Sequence, residues 1–305
     1  MTVNSGDALY IRGNNPSGFS SSILNYYSFI IEGDKVSCSG NIMSLIDYEN
    51  LPDVIPGEYC FYDLFSDCTA LTTAPELPAM TLANQCYEGM FEGCSSLTTA
   101  PELPAMTLKA SCYYRLFKKC TALTVAPELP AMTLADDCYG SMFEDCAMLT
   151  TAPELPAKTL KAGCYRNMLS GCSSLKTAPA LTAVELAKDC YLCMFAICSS
   201  LTTAPELPAA ELVERCYYRM FEGCSSLTTA PELPAMTLAN QCYEGMFDGC
   251  SSLTTAPELP AMTLAERCYA YMFSDCNSLT AKPELPAIEL ATDCYLGMFD
   301  GTSLG

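Results

Sequence analysis

Histidine and tryptophan are both absent from these 305 residues. Without histidine there is no side chain whose ordinary pKa lies near neutrality, and the Ser-His and Cys-His dyads that activate a nucleophile cannot be assembled. No enzyme and no cofactor are therefore expected. Basic residues are scarce too: 15 Lys and Arg stand against 35 Asp and Glu, a formal net charge of −20. Such a chain gains nothing from counterion release on a phosphate backbone, so nucleic acid is not an expected partner. The same repulsion disfavours an anionic membrane surface, whereas a cationic protein or a neutral glycan is compatible with it. Long apolar runs are also missing, although half of the residues are hydrophobic. No stretch approaches the roughly 18 apolar residues that a membrane-spanning helix needs, so membrane insertion is not expected. After Met1, Thr-Val-Asn-Ser-Gly-Asp has neither the basic start nor the apolar run of a secretory signal.

What the chain has in abundance is cysteine, 21 residues of it, and nearly all of it is periodic. One column runs from Cys60 through Cys86 and Cys112 to Cys294 in steps of 26; a second lies eight residues later, from Cys68 to Cys276. The unit reads C-Y-x-x-M-F-x-x-C-x-x-L-T-T-A-P-E-L-P-A-M-T-L-A-x-x. The stretch from Leu82 to Ala105 recurs at Leu238 to Ala261 with only Glu92 replaced, by Asp248. That near-identity points to recent duplication of units.

In Leu134 to Cys146, the apolar residues Leu134, Cys138, Met142, Phe143 and Cys146 fall at spacings of three and four, which predicts an amphipathic helix of about three turns. Leu149-Thr150-Thr151-Ala152 has the β-branched content of a short strand, ended by Pro153, which has no amide hydrogen for a ladder bond. Pro153-Glu154-Leu155-Pro156 favours an extended, polyproline-like return to the next unit. A unit of 26 residues cannot bury its apolar stripe alone, so units must stack. Strands at about 4.8 Å and helices at about 8–10 Å per unit would make the array curve, helices outermost. The expectation is an α/β solenoid, a right-handed, leucine-rich-repeat-like array of short strand plus convex helix. It comprises ten repeats over residues 51–305 behind a β-rich N-terminal cap over residues 1–50. Within the cap, Ala8 to Arg12, Tyr27 to Glu32 and Lys35 to Cys38 read as strands, with a short helix or turn near Ile42 to Tyr48. At the far end Thr302 stands where a column cysteine is due, and no polar capping helix follows.

The pattern M-F-x-G-C-S-S-L-T-T-A-P-E-L-P-A, at Met90 to Ala105, Met220 to Ala235 and Met246 to Ala261, resembles the BspA-like leucine-rich repeats of bacterial surface proteins. It also resembles related 26-residue surface repeats that carry a Met-Phe pair and a following cysteine. The likeness covers about Leu51 to Leu304, and the segments Gly6 to Gly13 and Ser39 to Leu45 look like the stretch that commonly precedes such repeats. The resemblance implies an adhesin-like, cell-surface or secreted setting, in a gut or oral anaerobe, and brings no catalytic residues.

Each repeated side chain has a bland reading and a sharper one. Cysteines eight apart on a helix would lie about 12 Å apart and those on neighbouring helices about 8–10 Å, beyond the roughly 7 Å limit for a disulfide. Zinc ligands cluster at C-x₂₋₄-C spacing, usually with histidine, so no metal is expected. Buried thiols acting as small hydrophobes remain, with Cys38 and Cys193 outside the pattern as candidates for reactivity. The glutamates of the Pro-Glu-Leu-Pro segments, Glu76, Glu102, Glu128, Glu154, Glu206, Glu232, Glu258 and Glu284, form either a solubilising ridge or a row that attracts cations or a basic partner, interrupted at Ala180. The Thr-Thr pairs give strand propensity and cross-strand hydroxyl bonds, or match a repetitive ligand such as a glycan or ice. The tyrosines from Tyr87 to Tyr295 stack ring on ring as core support, or meet sugars. The two positions after each tyrosine vary most. They are either a freely drifting solvated face or a protein-binding patch, best placed at the basic and aromatic cluster Tyr114, Arg115, Lys118 and Lys119. The reading as a whole is a monomeric, non-enzymatic surface module that binds a protein or glycan of a host or neighbouring cell. A structural spacer without specific ligand, or a binder of a repetitive ligand, is the alternative.

Overall fold

The computed structural model describes residues 6–31 and 33–304. Among these, regular secondary structure is confined to a two-residue strand β1 (Val36–Ser37), a 3-10 helix (Ile42–Leu45) and a three-residue strand β2 (Leu71–Thr73). β1 and β2 pair in parallel. The remainder is a stack of near-identical coils built from consecutive turns. The expected α/β solenoid with convex helices is therefore not what the chain adopts, and the leucine-rich-repeat architecture falls with it.

Hydrogen bonding explains the departure. Between Tyr59 and Cys68, the amides of Tyr62, Leu64, Ser66 and Cys68 donate three residues back, to the carbonyls of Tyr59, Phe61, Asp63 and Phe65, at 3.0–3.3 Å. The alternate amides of Phe61, Asp63, Phe65 and Asp67 leave the coil and donate to Cys86, Glu88, Met90 and Glu92 of the next one, at 2.7–3.0 Å. An α-helix would keep every one of these bonds to itself. Here half of them tie coil to coil, and the pattern repeats to the last coil.

The apolar period agrees with this geometry. Leu134, Cys138, Met142 and Cys146 are spaced strictly by four, as are Tyr139 and Phe143, and all are buried. On an α-helix at 3.6 residues per turn, twelve residues of such spacing would swing the stripe round by about 120°. A four-residue turn unit keeps it on one side. Each unit is closed by a residue in the left-handed region: Tyr59, Asp63 and Asp67 at φ 56°, 48° and 58°, then Gln85, Gly89 and Gly93 at 54°, 62° and 74°. Three such positions per coil over ten coils make 30, of which nine are Gly, seven Asp and one Asn, the residues that tolerate this conformation best.

The return half of the coil is extended but scarcely forms a sheet. Beyond β2, successive coils share single parallel bridges, as in the run Val125, Thr151, Thr177, Thr203, Thr229. Prolines on both sides of the glutamate remove the donors that would extend each bridge into a ladder. The strand expected at Leu149 to Ala152 is thus reduced to one paired residue.

The interior is a set of side-chain columns. Tyrosine rings from Tyr87 to Tyr295 stack 5.8–6.0 Å apart, within 11° of parallel. A phenylalanine column from Phe65 to Phe299, broken at Leu169, stacks at 5.5–5.8 Å. These spacings replace the 8–10 Å expected for helices, so the reason for outward curvature disappears. All 21 cysteines are free, and the two periodic columns are buried throughout.

The cap is not β-rich. Ala8 to Arg12 and Tyr27 to Ile31 form no strand, Glu32 lies outside the described residues, and of the expected strands only Val36–Ser37 appears. The cap nevertheless runs alongside the first coil. Ser20, Phe29, Val36, Cys38 and Ile42 donate their amides to Cys60, Leu64, Ala70, Thr73 and Glu76 at 2.7–3.1 Å. Segments whose apolar content predicts isolated strands instead copy the path of a coil. At the other end Thr302 continues the turn, its amide donating to Phe299 as the column cysteines do.

Far-UV circular dichroism is expected to lack the double minimum of α-helix; its presence at substantial amplitude would refute the turn assignment. Ile197 tests the left-handed positions. It is a β-branched, 60% exposed residue at φ 61°, with Gly171 and Gly223 at the equivalent places in the adjoining coils. Ile197→Gly is expected to stabilise the fold by roughly 0.5–1 kcal/mol in chemical denaturation, because relief of the left-handed strain exceeds the entropy cost of glycine.

Candidate functional site

The proposed cluster lies on the turn face, and the structure brings its members together with neighbouring acids. Arg115, half-buried, donates to Glu88 Oε1 at 3.1 Å and Glu92 Oε2 at 2.9 Å. Lys118 pairs with Glu144 at 2.9 Å. Two guanidinium groups approach the Tyr114 ring, Arg115 at 5.4 Å and Arg166 at 5.2 Å, and the ring lies against Gly140, where a Cβ would meet it at 2.8 Å. Lys119 is exposed, at a left-handed position of φ 60°. Three of the four residues are thus engaged within the molecule, and Lys119 alone projects freely.

This face carries the ion pairs of the described residues. Besides those of Arg115 and Lys118 they join Arg166 to Asp137, Lys188 to Glu214, Arg215 to Asp189, Arg219 to Glu222 and Arg267 to Glu244. Burial alone would raise the pKa of Glu244, but the Arg267 fork and the Gln241 amide outweigh it and hold the carboxyl below its usual range. Asp63 is the opposite case. Its carboxylate lies over Gly89, with Oδ1 lacking a hydrogen-bond partner, and burial pushes its pKa up to about 6 despite attraction from Arg115; Glu92 and Glu88 add to the rise.

The thiols are sealed. In the second column each sulfur donates to a carbonyl of the coil before it, Cys94 to Phe65, Cys120 to Phe91 and so on, at 3.0–3.2 Å. Burial raises the pKa of both thiols outside the pattern, Cys38 and Cys193, the latter to about 12 with Glu222 contributing. Arg219 lies near Cys193 but is outweighed by burial and Glu222, so neither thiol is held as a reactive thiolate. The tyrosines from Tyr87 to Tyr269 are at most 2% exposed, which withdraws the sugar-stacking reading for those rings. Threonine hydroxyls are partly spent between coils: Thr98, Thr150, Thr228 and Thr280 donate to the carbonyls of Thr72, Thr124, Thr202 and Thr254.

The glutamates of the Pro-Glu-Leu-Pro segments are all exposed and none forms an ion pair. Beside them stands a column that the sequence reading did not weigh. Met80, Met106, Met132, Met236 and Met262 are about half exposed, at 47–53%. The signal was available: Leu77 and Ala79 point inward, and strict alternation in an extended segment turns Glu76, Pro78 and Met80 outward. Among the described residues, no helix is long and apolar enough to cross a membrane. No family model, curated protein or solved structure matches this chain.

Asp63 generates a pH test. Between its ordinary value near 4 and the raised value near 6 the folded state binds more protons than the unfolded one, so this group's contribution to stability falls as pH rises through that window. Asp63→Asn is expected to flatten the slope of unfolding free energy against pH between about 4 and 6 and to raise stability at neutral pH by about 1 kcal/mol after solvent screening. An unchanged slope, measured by denaturant titration at several pH values, would refute it.

Proposed function

We propose that this chain is a non-enzymatic binding module that presents an extended, periodic surface to a protein or glycan at a cell surface. The observation that carries this reading is the division between a sealed interior and an extended outer face whose glutamates form no ion pair. Thiols and phenols, the chemically versatile groups repeated in every coil, are buried and shifted toward their protonated forms. What six of the coils repeat outward is a carboxylate and, four residues on, an exposed apolar side chain, Met80, Met106, Met132, Met236, Met262 or Ile288. A cleft of about 400 Å³ between Ser28, Phe29, Ile30, Ile31 and Gly33 of the cap and residues 66–70 of the first coil is lined, among the described residues, by one carboxylate, Asp67, and by no basic side chain. The surface setting rests on the resemblance of the repeat motif. The unbroken backbone ladder favours a second reading, a stiff spacer.

A panel of extracellular proteins and glycans, applied to the immobilised full chain, separates the two. Saturable binding to a subset supports the module; uniform failure to bind supports the spacer. If the turn-face cluster is the contact, the double variant Tyr114→Ala, Arg115→Ala is expected to weaken that binding by about tenfold or more, as for a contact hot spot. If the surface is used along its length, loss of one coil's side chains has little effect.

A further inference from the structure

We propose that the outward face of the extended segments, the Glu, Pro and Met columns, docks a cationic amphipathic polypeptide segment. This deepens the binding reading above and rests on it. Three observations carry it. The first is an exposed apolar stripe. Met80, Met106 and Met132 are 47–53% exposed in consecutive coils, and Met236 and Met262 repeat this further along, followed by Ile288 at 89%. The backbone sets their spacing: the Met132 amide donates to the Met106 carbonyl at 3.2 Å and Met262 to Met236 at 3.0 Å, so neighbouring thioethers stand one intercoil step apart. Such contiguous apolar surface is characteristic of an interaction site, and methionine is the side chain best able to mould itself to a partner.

The second observation is charge. Each of these methionines lies four residues after an exposed glutamate on the same outward side, and those carboxylates have no ion pair. The ion pairs of the described residues belong to the turn face instead. Like charges held one coil apart repel, and a row of lysine or arginine laid along them removes that repulsion while leaving the apolar stripe for the partner's apolar side. An anionic or neutral apolar partner gains from the methionines alone and is opposed or ignored by the carboxylates.

The third observation is where the stripe stops. Lys158 occupies the methionine position in the fourth full repeat, Ala180 the glutamate position in the next, and Ala210 the methionine position after that. The pairing of acid with methionine is lost over these three coils, where Glu154 stands beside Lys158, Ala180 beside the 54% exposed Val184 and Glu206 beside Ala210, and it returns at Glu232 and Met236. Two separate docking stripes result, each spanning neighbouring coils.

The test uses the full chain and a synthetic peptide of alternating lysine and leucine, titrated by fluorescence anisotropy at about 0.15 M ionic strength so that simple long-range attraction is screened. Two triple variants remove one component each from the first stripe: Met80→Gln, Met106→Gln, Met132→Gln, and Glu76→Gln, Glu102→Gln, Glu128→Gln. A variant combining both stripes' methionine changes, with Met236→Gln and Met262→Gln added, is read alongside. All of these positions are exposed, and an unchanged circular dichroism spectrum and unfolding midpoint confirm that each variant folds. Wild type is expected to bind the lysine–leucine peptide at least tenfold more tightly than an all-lysine or a glutamate–leucine peptide. The five-methionine variant is expected to weaken binding tenfold or more, each triple variant alone to lower the number of peptides bound per chain because the second stripe remains, and Lys188→Ala on the turn face to change binding less than twofold. Equal binding of the all-lysine peptide, or binding indifferent to the methionine changes, overturns the proposal by reducing it to charge attraction. Saturable binding to a member of the protein and glycan panel that survives every one of these variants also overturns it, while leaving the module reading in place. Failure to bind any member of the panel or any peptide sinks both.

Discussion

Every second amide of the turn segments has no acceptor within its own coil, and the structure depends on where those amides go. They donate to the next coil, residue to residue at a constant offset, as Phe61 does to Cys86 and Tyr87 to Cys112. An unpaired buried amide costs about as much as a lost hydrogen bond, so a lone coil is untenable and each added coil satisfies the one before it. The constant offset also forces identical side chains into line. Tyrosine must stand on tyrosine and phenylalanine on phenylalanine, and the repeat has to keep its length without exception. The cap answers to the same constraint: it has little sheet, yet it supplies amide donors to the first coil from Ser20 to Ile42.

The repeat, its length and its stacking were legible in the cysteine columns, and so was the burial of the thiols, tyrosines and apolar stripe. The helix was not, because apolar spacing of three and four was matched to a 3.6-residue period when the columns keep a spacing of four. A second signal lay in the positions set aside as variable. The second of the two positions after each tyrosine is left-handed in every coil, and Gly89, Asn167, Gly245 and Gly297 stand there. What looked like relaxed selection on a solvated helix is partly a conformational demand. The candidate cluster was legible as composition only: sequence placed Tyr114 beside Arg115 but could not show Glu88, Glu92 and Glu144 arriving from adjoining coils and Arg166 from two coils away.

The same register separates the charges. On the turn face, side chains from coils one apart and of opposite sign are near enough to pair, and substitution from coil to coil has produced pairs such as Arg215 with Asp189. On the extended face, outside the interruption at Lys158, Ala180 and Ala210, the residue type hardly changes, so a carboxylate there has other carboxylates above and below it. An overall charge of −20 is therefore not spread evenly. It is neutralised locally where the repeats differ and accumulates where they are alike, and this is why invariance, rather than variation, marks the more polarised surface.

The abundance of cysteine follows from the backbone as well. The Phe65 carbonyl already accepts the Cys68 amide, and the Cys94 thiol from the next coil adds a second donor at 3.0 Å. Alanine there would leave a void between the ring columns, and serine would carry a larger desolvation cost into an apolar interior; a thiol fills the space as a small hydrophobe and still donates. Burial raises the pKa of these thiols, and the protonated form that burial favours is the one that can donate. The property that makes the sulfurs poor nucleophiles is thus what makes them useful between coils, and a repeat that stacks in this way has reason to keep them in every unit.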